Sequence, residues 1–192
     1  MTPVLKQYSI NQETEAIVSL TNDLKKILVW ASDWRLEYNT AKTVLMKFSH
    51  TTSIPISLQF GGSVLQSVDS HCHLGVVLSS NLKWSAHVDQ VVSKTSKKLG
   101  LLKHQSQWLS FDQRCIIYLC VIKPAIEYAS ILYGGGSLLD NLRLDHLQRR
   151  AALACTGAMY RMKHNALMEI LRWESLQSRR SLAALCLFYQ VL

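Results

Sequence analysis

The sequence has no Cys-x-x-Cys pair. Its five cysteines, Cys72, Cys115, Cys120, Cys155 and Cys186, are odd in number and widely scattered, which argues against a disulfide or zinc framework and for reduced, mostly buried thiols. It also lacks a P-loop, a G-x-G-x-x-G and a G-x-S-x-G, so phosphate-cradle and nucleophile-elbow chemistry have no local signature. The "GGG" at 134–136 has neither the lysine nor the strand-to-helix setting of a phosphate loop and reads as a hinge. Paired aspartates are missing too. Asp23, Asp33, Asp69, Asp89, Asp112, Asp140 and Asp145 all stand singly, whereas two-metal chemistry on nucleic acid needs converging carboxylates, commonly supplied as D-D or D-x-D. They read as solvated helix faces or caps.

Long apolar runs are also wanting. The longest uncharged one, "SLAALCLFYQVL" at 181–192, falls well short of the roughly 20 residues that span a bilayer. "MTPVLKQYSINQETE" turns polar before a signal-peptide core could form. The expectation is a soluble, cytoplasmic or nuclear chain with no membrane partner.

Acids are scarce in one part of the chain only. Residues 1–80 carry six Lys/Arg against six Asp/Glu, residues 81–192 fifteen against seven. The net charge of +8 therefore resides in the second part, which points to a polyanionic partner there. With 48% apolar residues, the 192-residue chain can bury a proper core in one domain or one and a half.

The pattern of that core changes along the chain. "NQETEAIVSLTNDLKKILVWASDW" predicts a helix with Asn11 as N-cap, acids in its first turn, and Ile17, Leu20, Leu24, Leu28 and Ala31 on one face. A polar turn around "EYNTAK" ends it. "TVLMKFS", "ISLQFGGSVLQSV" with its Gly-Gly break, and "HLGVVL" predict strands of a small antiparallel sheet. From Asn81 the period becomes helical. Trp84, Val88, Val91, Thr95, Leu99 and Leu102 form an apolar stripe, with Gln90, Lys94, Lys97 and Lys98 on the other side. Further helices are expected over "FDQRCIIYLCVI", from Pro124 through "AIEYASILY", over "LDNLRLDHLQRRAALACTG" to Gly157, and as two short helices or a bent one to the end. The fold class is thus α+β and mainly helical. A helix and small antiparallel sheet occupy 1–80, an all-α domain 81–192.

His71, Cys72 and His73 stand side by side, with His87 downstream. In a strand the two histidines share a face and Cys72 looks away. That gives two local ligands where zinc takes about four, and His87 joins only if the turn folds back. A metal site and strand-edge histidines remain the alternatives. Basic residues interleave with aromatics at Lys83/Trp84, Lys94, Lys97/Lys98, Lys103/Trp108, Arg149/Arg150, Arg161, Arg172/Trp173 and Arg179/Arg180. They suit either phosphate neutralisation along a groove or the solvated backs of helices.

Six segments in order, "WASDWRLEYNTAKTVLMKFS", "HLGVVLSSNLKWSAHV", "KTSKKLGLLKH", "IYLCVIKPAIEYAS", "LDHLQRRAALACTG" and "LRWESLQSRR", closely resemble the downstream part of reverse transcriptases of non-LTR, jockey-like retrotransposons. The resemblance runs from about residue 11 to the end. It implies that "YNTAKT" corresponds to motif D, with Lys42 as the catalytic lysine near the incoming nucleotide. "HLGVVL" would be the primer grip of motif E, with Leu74 and Gly75 at its turn. The helices after Trp84 would form the thumb, whose Lys83, Lys94, Lys97, Lys98, Arg149 and Arg150 face nucleic acid. On this reading His71 and His73 lead into the primer-grip strand and no metal is expected there.

Neither motif A nor the aromatic-x-Asp-Asp of motif C is present, and the resemblance implies that Met1 falls just after where motif C would end. The expectation is a truncated RNA-directed DNA polymerase fragment, with no cofactor of its own and Mg2+ only in the full-length enzyme. It would be inactive alone and bind at most RNA or an RNA–DNA duplex. The alternatives are a non-catalytic protein-interaction module, self-associating through the exposed palm surface, and a decayed element copy without function.

Overall fold

Helix α1, Glu13–Asp33, is the first element of a computed structural model that describes residues 13–48 and 57–191. The expected N-cap Asn11 lies outside the described residues, as do Ser49 and Ile56 at the ends of two expected strands. The described chain is mainly helical α+β. It divides into two compact units, Met1–His71 with Ser79–Leu82, and Cys72–Leu78 with Lys83–Leu192.

In the first unit, α1 turns Ile17, Leu20, Leu24, Ile27 and Leu28 onto a small core of Leu58, Phe60 and Leu65. Tyr38 meets Phe60 edge-on at 5.3 Å. The helix ends in a Schellman motif. Leu36 N–H reaches Ala31 O at 2.8 Å and Arg35 N–H reaches Ser32 O at 3.0 Å. This places Arg35 at φ +53°, a left-handed position where glycine or asparagine is usual. A 3-10 turn, Thr40–Lys42, comes next, with Asn39 as its side-chain cap.

The strands β1 (Val44–Leu45), β2 (Gln59–Phe60), β3 (Ser63–Val64), β4 (Gln66–Ser67), β5 (Ser70–His73) and β6 (Val76–Ser79) are short. In place of one antiparallel sheet they make three separate pairs, of which β1–β4 is parallel. The reason is length. Gly61 and Gly62, both at positive φ, fold β2 onto β3 as a tight antiparallel pair. The chain then turns away after two residues per strand and leaves β4 to pair with β1.

The second unit is built on α2 (Ser85–Gln105) packed along α6 (Leu138–Thr156). Val88, Val91, Leu99 and Leu102 of α2 meet Leu144, Leu147, Ala151 and Cys155 of α6 in one buried cluster. Each of the valines and leucines among them contributes about 1.5–3 kcal/mol by leaving water. Around this pair lie α3 (Phe111–Ile117), α4 (Lys123–Glu127), α5 (Ser130–Tyr133), α7 (His164–Leu171) and α8 (Leu176–Val191). Ser110 opens α3 with a full capping box to Gln113, Ser137 caps α6, and Gly157 closes α6 at φ +68°.

The helix expected over 111–122 and the one beginning at Pro124 are a single irregular run. Tyr118–Ile122 is a π turn, with Lys123 N–H reaching back to Tyr118 O. A proline ring collides with the carbonyl four residues earlier, here that of Cys120, and a wider turn ahead of Pro124 removes the collision. The buried residues Tyr118, Ile122 and Ile126 are each four apart. A regular α-helix would drift about 40° per step over that spacing, and the wide turn takes up part of the drift. The run breaks at Tyr128 and Ala129, the latter at φ +54°, so that the helix expected from Pro124 through Tyr133 is split into α4 and α5.

Candidate nucleic-acid interface

The core stripe of α2 fixes which of its side chains face water. With Val88, Val91, Thr95, Leu99 and Leu102 buried, the intervening Lys94, Lys97 and Lys98 are exposed along the opposite side. No acid occurs between Asp89 and Asp112 in the sequence. At the N-terminal end Asp89 is engaged by Arg143, so its charge is offset. Lys98 Nζ donates to Val121 O in the π turn at 3.2 Å, which sets the height of one ammonium above the helix. On the other flank Arg150 of α6 donates to Ser96 Oγ at 3.1 Å and stays exposed. Lys103 continues the positive character into the last turn. Lys83 is exposed just ahead of α2.

Arg149 has a different environment from that expected at the sequence level. It is half-buried, donates to the carbonyls of Tyr160 and Met162, and lies over the Tyr160 ring at 4.8 Å. It thereby fastens the connection between α6 and α7. Arg179 forms a two-pronged pair with Glu127, and Arg180 donates to Asn141 Oδ1 at 2.6 Å. Both anchor α8 to its neighbours. A guanidinium fork readily satisfies carboxylates and carbonyls inside a fold, and arginine is therefore a weaker sequence marker of an outward-facing site than lysine.

The hairpin of β5 and β6 turns at Leu74 and Gly75, with φ +48° and +81°. A two-residue turn with both central residues at positive φ matches strand twist, and glycine accepts that conformation freely while leucine does not. The tip is held by Tyr128, whose hydroxyl donates to Leu74 O at 2.7 Å. A methyl group on Gly75 would come within 3.3 Å of the Tyr128 ring. Sequence reasoning missed Tyr128, and no local signal could have revealed it, because its partner lies 54 residues away. Lys42 is exposed at the end of the 3-10 turn of the first unit, its backbone N–H held by Asn39 Oδ1 at 3.1 Å.

On β5, His71 and His73 are half-buried and share a face, with Cys72 exposed on the other. His87 is buried. Its Nδ1 accepts the Val77 N–H at 3.2 Å, and its ring packs edge-on to Tyr133 at 4.8 Å. That nitrogen's lone pair is thus occupied. Burial pushes the imidazole pKa below its usual value, and the charge of Lys94 lowers it further. Burial also pushes the Cys155 thiol up to about 12, so it is inert at neutral pH.

Two of the carboxylates, Asp89 and Asp140, are committed to partners within the fold. Asp140 is buried and occupied by Ser85 Oγ at 3.0 Å, Ser137 Oγ at 2.8 Å and Arg143 Nη1 at 3.4 Å, and Asp89 is taken by the same arginine. Among the described residues no group of three or more His, Cys, Asp or Glu converges as a metal site. Nor is any described helix long and apolar enough to cross a membrane.

No family model and no solved structure matches the chain. Three curated proteins do. It is 24% identical over 159 residues, 79% of this chain, to the RNA-directed DNA polymerase from mobile element jockey of Drosophila funebris. It is 22% identical over 91% of its length to the probable RNA-directed DNA polymerase from transposon BS, and 23% over 72% to that from transposon X-element, both of Drosophila melanogaster. The matches cover 17%, 20% and 16% of those proteins, so the chain spans less than about a quarter of the relatives' length. Over most of its residues, this chain is similar to RNA-directed DNA polymerases of jockey-type non-LTR retrotransposons.

Proposed function

We propose that this chain supplies the template–primer-holding part of an RNA-directed DNA polymerase and binds RNA or an RNA–DNA duplex through α2. The observation that carries the reading is the acid-free, lysine-bearing exposed side of that helix: Lys94, Lys97 and Lys98, with Arg150 alongside and Lys83 at the approach. Such an array neutralises phosphates and recognises duplex shape rather than base sequence. Leu74 and Gly75 then act as a primer-grip turn, and Lys42 as a motif D lysine. The sequence holds no paired aspartates, and Asp89 and Asp140 are committed to Arg143. The chain by itself therefore binds without polymerising, and magnesium belongs with carboxylates elsewhere in a complete polymerase. Arg149, occupied inside the fold, is left out of the interface.

The test is a salt titration of binding to an RNA–DNA primer–template. Affinity that falls steeply as salt rises supports the reading, and weak binding with no salt slope overturns it. A second reading, a protein-interaction module, is favoured by the exposed apolar residues Leu182, Leu185, Leu187 and Phe188 of α8. A discrete oligomer in light scattering that ignores nucleic acid would decide for it.

A further inference from the structure

The C-terminal end of α2 carries a feature that phosphate binding does not require. Trp108 closes the 3-10 turn Ser106–Trp108 and is 78% exposed. The turn that presents it is held from both sides. Leu109 N–H returns to Ser106 O, Leu109 packs against the main core, and Ser110 starts the capped helix α3. The indole therefore projects from a fixed support. Among the described residues its ring has no stacking or cation partner. Its neighbours up the helix are Lys103, His104, Lys98 and Lys97, with no acid before Asp112.

A large exposed aromatic at the end of a cationic ridge has the elements that bind unpaired nucleic acid: backbone charge neutralised along the ridge, and a π-face for a base. A paired base in a closed duplex offers no free face except at its end. We infer that Trp108 is a base-stacking site, and that the ridge of α2 takes a single strand, or the unpaired end of a duplex, with a base seated on the indole. The inference rests on the nucleic-acid reading above and adds the class of ligand to it.

The experiment compares the full chain with Trp108→Ala and Trp108→Phe on three probes of equal length: oligothymidylate, an abasic sugar-phosphate chain and a blunt-ended duplex. Circular dichroism verifies that the variants fold. The alanine variant should lose about tenfold in affinity for oligothymidylate and under about twofold for the abasic chain, and phenylalanine should restore most of the loss. Equal losses on the base-bearing and abasic strands, or no loss on either, overturn the stacking site and leave the phosphate-binding reading standing. Failure of the unaltered chain to bind any of the three at low salt overturns both.

Discussion

The hydroxyl of Tyr128 donates to the carbonyl of Leu74 across 54 residues of sequence, and so steadies a turn whose leading residue is a leucine in the left-handed region. Tyr128→Phe should cost about 0.5–1 kcal/mol in denaturant unfolding, the low end for a hydrogen bond because this one is exposed. Gly75→Ala should cost more, about 1–2 kcal/mol, since the new methyl meets both unfavourable backbone angles and the Tyr128 ring.

Charge removal should separate interface from scaffold. Lys97→Gln should reduce the slope of log affinity against log salt by about one and leave stability unchanged. Arg179→Gln should do the reverse. The loss of its pair with half-buried Glu127 should lower stability by about 1–3 kcal/mol without altering the salt slope.

Arg149→Ala is expected to loosen the stretch from Tyr160 to Met162, whose two carbonyls it holds. Limited trypsin digestion should then cut after Arg161 or Lys163 markedly faster than in the unaltered chain, while nucleic-acid affinity stays within about twofold. A large loss of affinity would return Arg149 to the interface.

His87 ties the β5–β6 hairpin to α2 through a neutral ring nitrogen. Its folded pKa lies below the ordinary 6.5, so between those values the unfolded chain binds a proton that the folded one does not. Stability from this group is complete above about pH 6.5 and declines as pH falls below it. Protonation also removes the acceptor for Val77 N–H. Unfolding measured from about pH 7.5 down to about 5 should show this decline, and His87→Gln, which keeps an acceptor without titrating, should flatten it.

Periodicity made most of the helical unit legible in advance. The stripe from Val88 to Leu102 is buried residue for residue, and α6 stops at Gly157 as its sequence indicates. The strands were legible as extended segments but not as partners, because two-residue strands carry too little pattern to fix a register. The lysines of α2 could be placed outward from the helical repeat alone. The arginines could not, since Arg149 and Arg179 find partners 11–13 and 52 residues away, and nothing local foretells that.

The π turn ahead of Pro124 makes this part of the chain sensitive to length rather than to composition. Leu119, Cys120 and Val121 point outward and can change identity at little cost. Removing any one of them would let the Lys123 N–H and Tyr118 O close an ordinary α-turn, leaving α3 and α4 nearly in phase and Tyr118 on its 3.7 Å stack with Trp173. It would also bring the Pro124 ring back against the carbonyl four residues earlier. The extra residue works as a spacer that makes room for a proline inside the run, and a deletion there is a more damaging change than any single substitution at the same positions.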